Sequence, residues 1–144
     1  MKNFSISERL TPLQVQQLFE LSQQMWWSQK RTMEEILTML KNSLSFGLIE
    51  NNTQKLIGYA RVLTDEIKYA FIFDIMINDQ YRSKGLSKII MDAIFSHPKL
   101  KSVINFDLTC APDMVNFYKK FNFSENFENV KVMRRTNKTS KFSG

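Results

Sequence analysis

The stretch Asp74-Ile-Met-Ile-Asn-Asp-Gln-Tyr-Arg-Ser-Lys-Gly-Leu-Ser87 gathers the residue types best suited to chemistry in this chain. An apolar run ends at Ile77, a short basic turn follows, and a helical pattern opens near Gly85. Backbone N–H groups at a helix start have no intrahelical partner, and with the helix dipole they make an anion site. Gly85 lets backbone approach an anion closely, and Arg82 and Lys84 add positive charge. The spacing is neither a Walker A loop nor a dinucleotide fingerprint. It reads as a phosphate or pyrophosphate cradle, or as an ordinary basic strand-to-helix turn. Asp74 interrupts the otherwise apolar run 70–77. A buried carboxylate costs several kcal/mol unless paired, and desolvation raises its pKa. A general base near neutrality needs such a shift. The structural alternative is an Asp bonded to Arg61 or to a backbone N–H.

Other chemistry is scarce. Cys110 and His97 are the single cysteine and the single histidine. A nucleophile pair would have to join them. His97 closes a predicted helix and Cys110 closes the strand expected over 102–110. That strand, at about 3.3 Å per residue, separates them by roughly 25 Å. His97 is therefore expected to bond free carbonyls at a helix end, and Cys110 to pack at a strand end. No His/Cys cluster has metal-ligand spacing, so no metal is expected.

These residues need elements to position them. Residues 4–8 suit a short strand. Thr11-Pro12 signals a helix start, with Leu13, Leu18, Leu21 and Met25 following at roughly helical spacing. Thr32 and Glu35 form a capping box for a second helix over 32–41, with Met33, Ile36, Leu37 and Leu40 as its apolar stripe. Strands are predicted over 44–50, 55–63 and 69–77, joined by polar turns into an antiparallel meander. Leu86, Ile89, Ile90, Ala93 and Ile94 fit one helical face ended by His97-Pro98. A strand over 102–110, a helix over 112–121 and a last strand over 129–135 complete the order β-α-α-β-β-β-α-β-α-β. The strand, helix and strand between about 70 and 110 permit a parallel crossover. The fold class is α/β or α+β, with a mixed sheet.

Length and composition set the limits. The 144 residues suit one domain, expected over 1–136, with a basic, flexible tail over 137–144. Hydrophobic residues make up 43% of the chain, enough for a core. Four Gly and three Pro exclude a glycine-rich or collagen-like chain. The net charge of +6 resides mainly in 129–144, which holds five basic residues and no acid. The remainder is 15 basic against 14 acidic, so the body is nearly neutral and nucleic acid is not its expected partner. One cysteine excludes an intrachain disulfide. No apolar run marks a signal peptide or a membrane span, so a soluble, cytoplasmic protein is expected.

Arg82-Ser83-Lys84-Gly85-Leu86-Ser87, behind an apolar strand and Tyr81, resembles the acyl-CoA pyrophosphate loop of the GNAT superfamily of N-acetyltransferases. That motif is Arg or Gln, two residues, Gly, one residue, then Gly or Ala. Phe117-Tyr-Lys-Lys-Phe-Asn-Phe123 is similar to the family's late segment, in which a helical Tyr precedes a Gly-Phe pair. The element order matches as well. The resemblance covers roughly 3–135 in layout and 74–87 and 110–123 in motif. Ser87 stands in place of the usual Gly or Ala, and its hydroxyl can itself donate. Asn122 replaces the Gly that takes the left-handed conformation after the helix, where Asn is next best.

The resemblance implies a mostly antiparallel sheet of about six to seven strands flanked by about four helices. It implies transfer of an acetyl group from acetyl-CoA, as co-substrate, to a primary amine by direct attack. Arg82, Ser83, Lys84, Gly85, Leu86 and Ser87 would hold the pyrophosphate. Backbone groups of Ile75, Met76 and Ile77 would hold the pantetheine like an added strand, with one N–H facing the oxyanion. Asp74 matches the acidic residue that often deprotonates the amine, with Asp107 in reserve. Tyr118 matches the Tyr that protonates the departing thiolate, against a reading as a core aromatic beside Phe117 and Phe121. Cys110 is a further residue for the thioester's surroundings. Trp26 and Trp27, in the loop between the first two helices, and Phe46 are the expected acceptor-side residues. Two adjacent Trp cannot both face the core. A half-exposed one beside a carboxylate would bind a cationic amine by cation–π attraction, or serve a packing or dimer contact. The acceptor, small molecule or peptide, is not named by the sequence, and a homodimer stays open. A non-catalytic acyl-CoA sensor is the alternative function.

Overall fold

Two capping boxes start the first pair of helices in the computed structural model, which describes residues 3–127 and 129–137. Thr11 accepts from the Gln14 N–H at 3.1 Å, and Gln14 accepts from the Thr11 N–H at 3.0 Å. They open α1, Pro12–Gln23. Thr32 and Glu35 exchange the same bonds ahead of α2, Met33–Lys41. The contacts group the chain into Met1–Leu108 and Thr109–Gly144, described here in turn.

The first unit is a five-stranded sheet in sequential order: β1 (Phe4–Ser7), β2 (Leu44–Glu50), β3 (Lys55–Thr64), β4 (Tyr69–Ile77) and β5 (Asn105–Asp107). The first three pairings are antiparallel and β4–β5 is parallel, joined through α3, Leu86–Ser96. Alternation assigns the faces. Phe46 meets His97, just past α3, edge-on at 5.5 Å. Its neighbours Ser45 and Gly47 point the other way, toward Tyr59 and Leu10. On that second face Leu18, Leu21, Met25 and Ile36 from the α1–α2 segment pack with Ile49, Leu56, Tyr59 and Met76. One sheet thus has α3 on one face and the α1–α2 pair on the other.

The second unit begins with a 3-10 turn, Pro112–Met114, leading into α4, Val115–Lys119. Asn122 then adopts φ +69°, as expected of the residue replacing the family Gly. Its N–H reaches the Lys119 carbonyl at 3.0 Å.

Class and helix number agree with expectation, but the strands differ. The described residues hold five strands rather than six or seven. The strand predicted over 102–110 shortens to Asn105–Asp107, so the separation argument for His97 and Cys110 loses its premise. The strand predicted over 129–135 does not form, and Val130, Val132 and Met133 are exposed. A strand needs a neighbour for its backbone groups, and residues 109–127 and 129–137 contain no other. The expected tail lies outside the described residues from 138 onward.

Candidate active site

Pairing of β3 with β4 runs Arg61 opposite Phe73 and Tyr59 opposite Met76, so Asp74 and Ile75 together face Ala60. This is a β-bulge. Asp74 takes φ +59°, a left-handed conformation that Asp and Asn tolerate best among residues with a side chain. The bulge aims the carboxylate at the α1–α2 face. There its Oδ1 and Oδ2 accept a bidentate pair from Arg31 at 3.0 and 2.8 Å, and Oδ2 also accepts from Arg61 Nε at 2.7 Å. The Asp74 side chain is 6% exposed. Of the readings offered by the sequence, the pairing with Arg61 is present, and Arg31 adds a second cation.

The loop between α1 and α2 holds Arg31 in place. Ser28 is buried and donates to the Ser22 carbonyl at 2.6 Å, while Gln23 donates to the Arg31 carbonyl at 3.2 Å. Arg31 also lies over the Trp27 ring at 5.5 Å. One face of the Trp27 ring is therefore taken by the protein's own guanidinium. Trp27 is 38% exposed and Trp26 79%, so neither faces the core. Phe46 is 1% exposed and stands on the α3 face, away from the cluster. It is a core residue and does not line an acceptor cleft. Its placement follows from strand alternation, once Ser45 is seen to pair with Tyr59.

Ser45 and Tyr59 share a buried hydroxyl–hydroxyl bond of 2.9 Å. Burial pushes the Tyr59 phenol up to about 12, against a smaller opposing effect of the Ser45 bond. Arg61 stacks on Phe73 at 4.8 Å and donates to the Ser43 hydroxyl at 3.2 Å. Arg31, Ser43, Ser45 and Tyr59 escaped the sequence reading. Only Arg61 was within reach, as a cation two positions from Tyr59 in an apolar strand. Asp107 is the register partner of Phe71, which stacks on Phe73, so it shares this face. It has no ion-pair partner among the described residues.

β4 pairs with β5 only at Tyr69–Phe71. Residues 72–77, which include Ile75, Met76 and Ile77, have no strand on that side among the described residues. The chain then turns through Asp79–Tyr81 into the basic loop. Ser83 takes φ +66° and Gly85 φ +71°. Gly85 caps α3 with no side-chain bond to the first turn, and its carbonyl accepts from the Lys88 N–H at 3.3 Å. The N–H groups of Leu86 and Ser87 precede that bond and stay open. A Cβ on Gly85 would meet nothing within 4 Å, so the glycine is there for its backbone conformation and for an uncluttered approach. Arg82 pairs with Asp79 at 3.0 Å, and Lys84 lies over Tyr81 at 5.6 Å.

His97 departs from expectation. Its Nδ1 accepts from the Lys99 N–H at 3.0 Å and its Nε2 meets Glu8 at 2.8 Å, so it bonds an amide and a carboxylate rather than free carbonyls. Among the described residues no His/Cys/Asp/Glu group could hold a metal ion.

In the second unit, Tyr118 lies on the inner face of α4, edge-on to Phe117 at 5.0 Å and to Phe123 at 6.2 Å. Its hydroxyl has no partner among the described residues and is not sealed from solvent. Burial first, then Cys110, pushes this phenol up to about 12. Cys110 is exposed rather than packed. Partial burial of the sulfur, then Glu125 and Asp113, raises its thiol, which disfavours a reactive thiolate.

The β4 edge left open beyond Phe71 runs into a helix start with a left-handed glycine, an arrangement suited to an extended anionic ligand. The model of the acetyltransferase (GNAT) family matches residues 13–123, and the chain belongs to that family. It is 31% identical over 107 residues to the uncharacterized N-acetyltransferase ycf52 of Pyropia yezoensis, covering 72% of this chain and 62% of that protein. The chain thus spans about three-fifths of that relative's length. A GNAT-family crystal structure from Xanthomonas campestris pv. campestris superposes with a TM-score of 0.82 at 25% identity, covering 95% of both chains. The aminoglycoside N-acetyltransferase AAC(6')-Iy, solved with CoA, shares the fold with a TM-score of 0.67 at 15% identity, over 92% of this chain and 95% of that one.

Proposed function

We propose that this protein transfers the acetyl group of acetyl-CoA to a primary amine. The observation that carries the reading is the open edge of β4 over residues 72–77 running into the uncapped start of α3. An extended pantetheine chain can add to such an edge as a strand does, and a pyrophosphate fits the free N–H groups at Gly85, Leu86 and Ser87. Arg82, Ser83 and Lys84 supply the surrounding positive charge and backbone. Bound acetyl-CoA supplies an activated acetyl thioester.

The chain's own residues do the rest. Ile75, Met76 and Ile77 orient the thioester through their backbone, and the bulge at Asp74 turns an N–H toward the carbonyl oxygen. On the motif resemblance alone, Tyr118 is assigned to donate a hydrogen bond to the departing sulfur. With its phenol near 12 and an ordinary thiol near 8.5, complete proton transfer would cost about 5 kcal/mol. Tyr118 therefore acts mainly as a donor that stays protonated, so the sulfur leaves as a thiolate and the second proton of the attacking nitrogen passes to water. Asp74 already carries three charge-assisted bonds, and taking up a proton would sacrifice two ion pairs. We therefore assign Asp74 to positioning and Asp107, whose oxygens have no side-chain partner among the described residues, to accepting the ammonium proton, directly or through water.

Acetyl-CoA at millimolar concentration is expected to raise the melting temperature and to release free thiol with a suitable amine. Absence of any shift with acetyl-CoA or CoA would refute the reading. Binding without thiol release across a wide amine panel would favour a non-catalytic sensor. Tyr118→Phe is expected to lower turnover far more than acetyl-CoA affinity, and equal loss of both would make it a binding residue.

A further inference from the structure

The polar cluster on the α1–α2 face is unbalanced in its hydrogen bonds. Arg31 and Arg61 both bond the single carboxylate of Asp74, while Asp107, on the same face, pairs with neither among the described residues. The cluster is rich in donors and poor in acceptors. Each guanidinium has five N–H groups. Arg31 spends two on Asp74, and Arg61 spends one on Asp74 and one on Ser43, leaving three on each without a partner among the described residues. Asp74, the anionic acceptor bonded to both, already receives three bonds. The Ser45–Tyr59 pair keeps its protons, since burial holds Tyr59 neutral far above physiological pH.

The two arginines are also held by contacts beyond Asp74. The Trp27 ring and the fastened α1–α2 loop hold Arg31, and Phe73 and Ser43 hold Arg61. Their side chains are 22% and 13% exposed, enough for a ligand to reach them and too little for bulk water to screen them fully. Planar guanidiniums with fixed, unspent N–H pairs are suited to carboxylate or phosphate oxygens. An amine with no anionic group would leave the unspent guanidinium N–H groups unmatched.

We propose that Arg31 and Arg61 form the acceptor-recognition site, and that the acceptor amine carries an anionic group, a carboxylate or a phosphate. The inference rests on the acetyltransferase reading and names its substrate class. Asp74 is then the positioning residue that holds both guanidiniums toward that group.

The test uses the whole chain with acetyl-CoA, read by free-thiol release. Two matched pairs distinguish the sources of charge: leucine against 3-methylbutylamine, and glucosamine 6-phosphate against glucosamine. The charged member of at least one pair is expected to show at least tenfold higher kcat/KM. Arg31→Gln and Arg61→Gln are each expected to cut that preference at least tenfold, chiefly through KM. Each variant leaves Asp74 one guanidinium, and a thermal melt confirms folding. Equal or better activity with the uncharged members of both pairs would overturn the inference, as would variants that depress both members of a pair alike. If acetyl-CoA itself produces no thermal shift, the transferase reading is what fails. The anion site is then judged by ligand alone: protection by glucosamine 6-phosphate or leucine over its uncharged partner supports it, and equal protection refutes it.

Discussion

Asp74→Asn removes one negative charge from between two guanidiniums while keeping the side chain's shape. Asn also tolerates the φ of +59° at the bulge, so no backbone strain is added. The wild-type carboxylate receives bonds of 2.7, 2.8 and 3.0 Å. Bonds to charged groups contribute about 1.5–3 kcal/mol each, but burying the charges already offsets much of that gain. Removing one partner of a buried pair typically costs about 3–5 kcal/mol. Arg31, at 22% exposure, can swing toward water, and the Asn oxygen still accepts one N–H, so the lower end applies, about 3 kcal/mol. A protein of 144 residues is stable by roughly 7–20 kcal/mol, so the variant still folds. Urea denaturation should show the lowered midpoint with an unchanged slope. Asp74→Ala should fall about 1 kcal/mol further, because Ala resists the left-handed backbone. The decisive assay is the pH profile of kcat/KM. If Asp74 only positions, Asp74→Asn raises the acceptor KM and keeps the acid limb, while Asp107→Asn abolishes that limb. Loss of the limb in Asp74→Asn, with stability near wild type, would refute the positioning role and restore Asp74 as the base.

Further perturbations test other parts of the structure. Burial pushes both Tyr59 and Tyr118 up to about 12, so the stability they contribute is intact below about pH 10 and is lost as pH rises through 12. Each contributes on the order of 3 kcal/mol, and Tyr59→Phe should flatten the alkaline limb seen in denaturation at pH 9–12. Gly85→Ala meets open space but keeps φ +71°, so it should cost about 1 kcal/mol without a clash. Gly85→Glu should abolish the thermal shift from acetyl-CoA through bulk and like charge. Gly58→Ala would bring its Cβ to 3.0 Å from the Met76 carbonyl and 2.9 Å from Ile77 Cδ1. It should cost about 1–3 kcal/mol and weaken acetyl-CoA binding, because the displaced backbone is the β4 edge.

Local signals were legible where a residue's own backbone need decided the structure. Thr32 with Glu35 announces a capped helix, Gly85 a helix start open to close approach, and Asn122 a left-handed residue after a helix. Each rests on interactions within four residues, and each is found. The meander of β2, β3 and β4 was readable for the same reason, since polar turns separate short apolar runs. The strand predicted over 129–135 failed because alternation of Val130, Val132 and Met133 states a preference and does not supply a partner. The role of Asp74 depended most on tertiary structure. As a lone acid in an apolar run it read equally as a base or as a structural residue. The bulge that turns it, the Arg31 that reaches it from 43 positions away and the Trp27 that steadies Arg31 are set by how β3 and β4 slip in register and how the α1–α2 loop folds back. Sequence therefore determined that a cradle and a carboxylate exist in one segment. The tertiary structure decided that the carboxylate is shared by two arginines, because charge pairing acts through space between residues far apart in the chain.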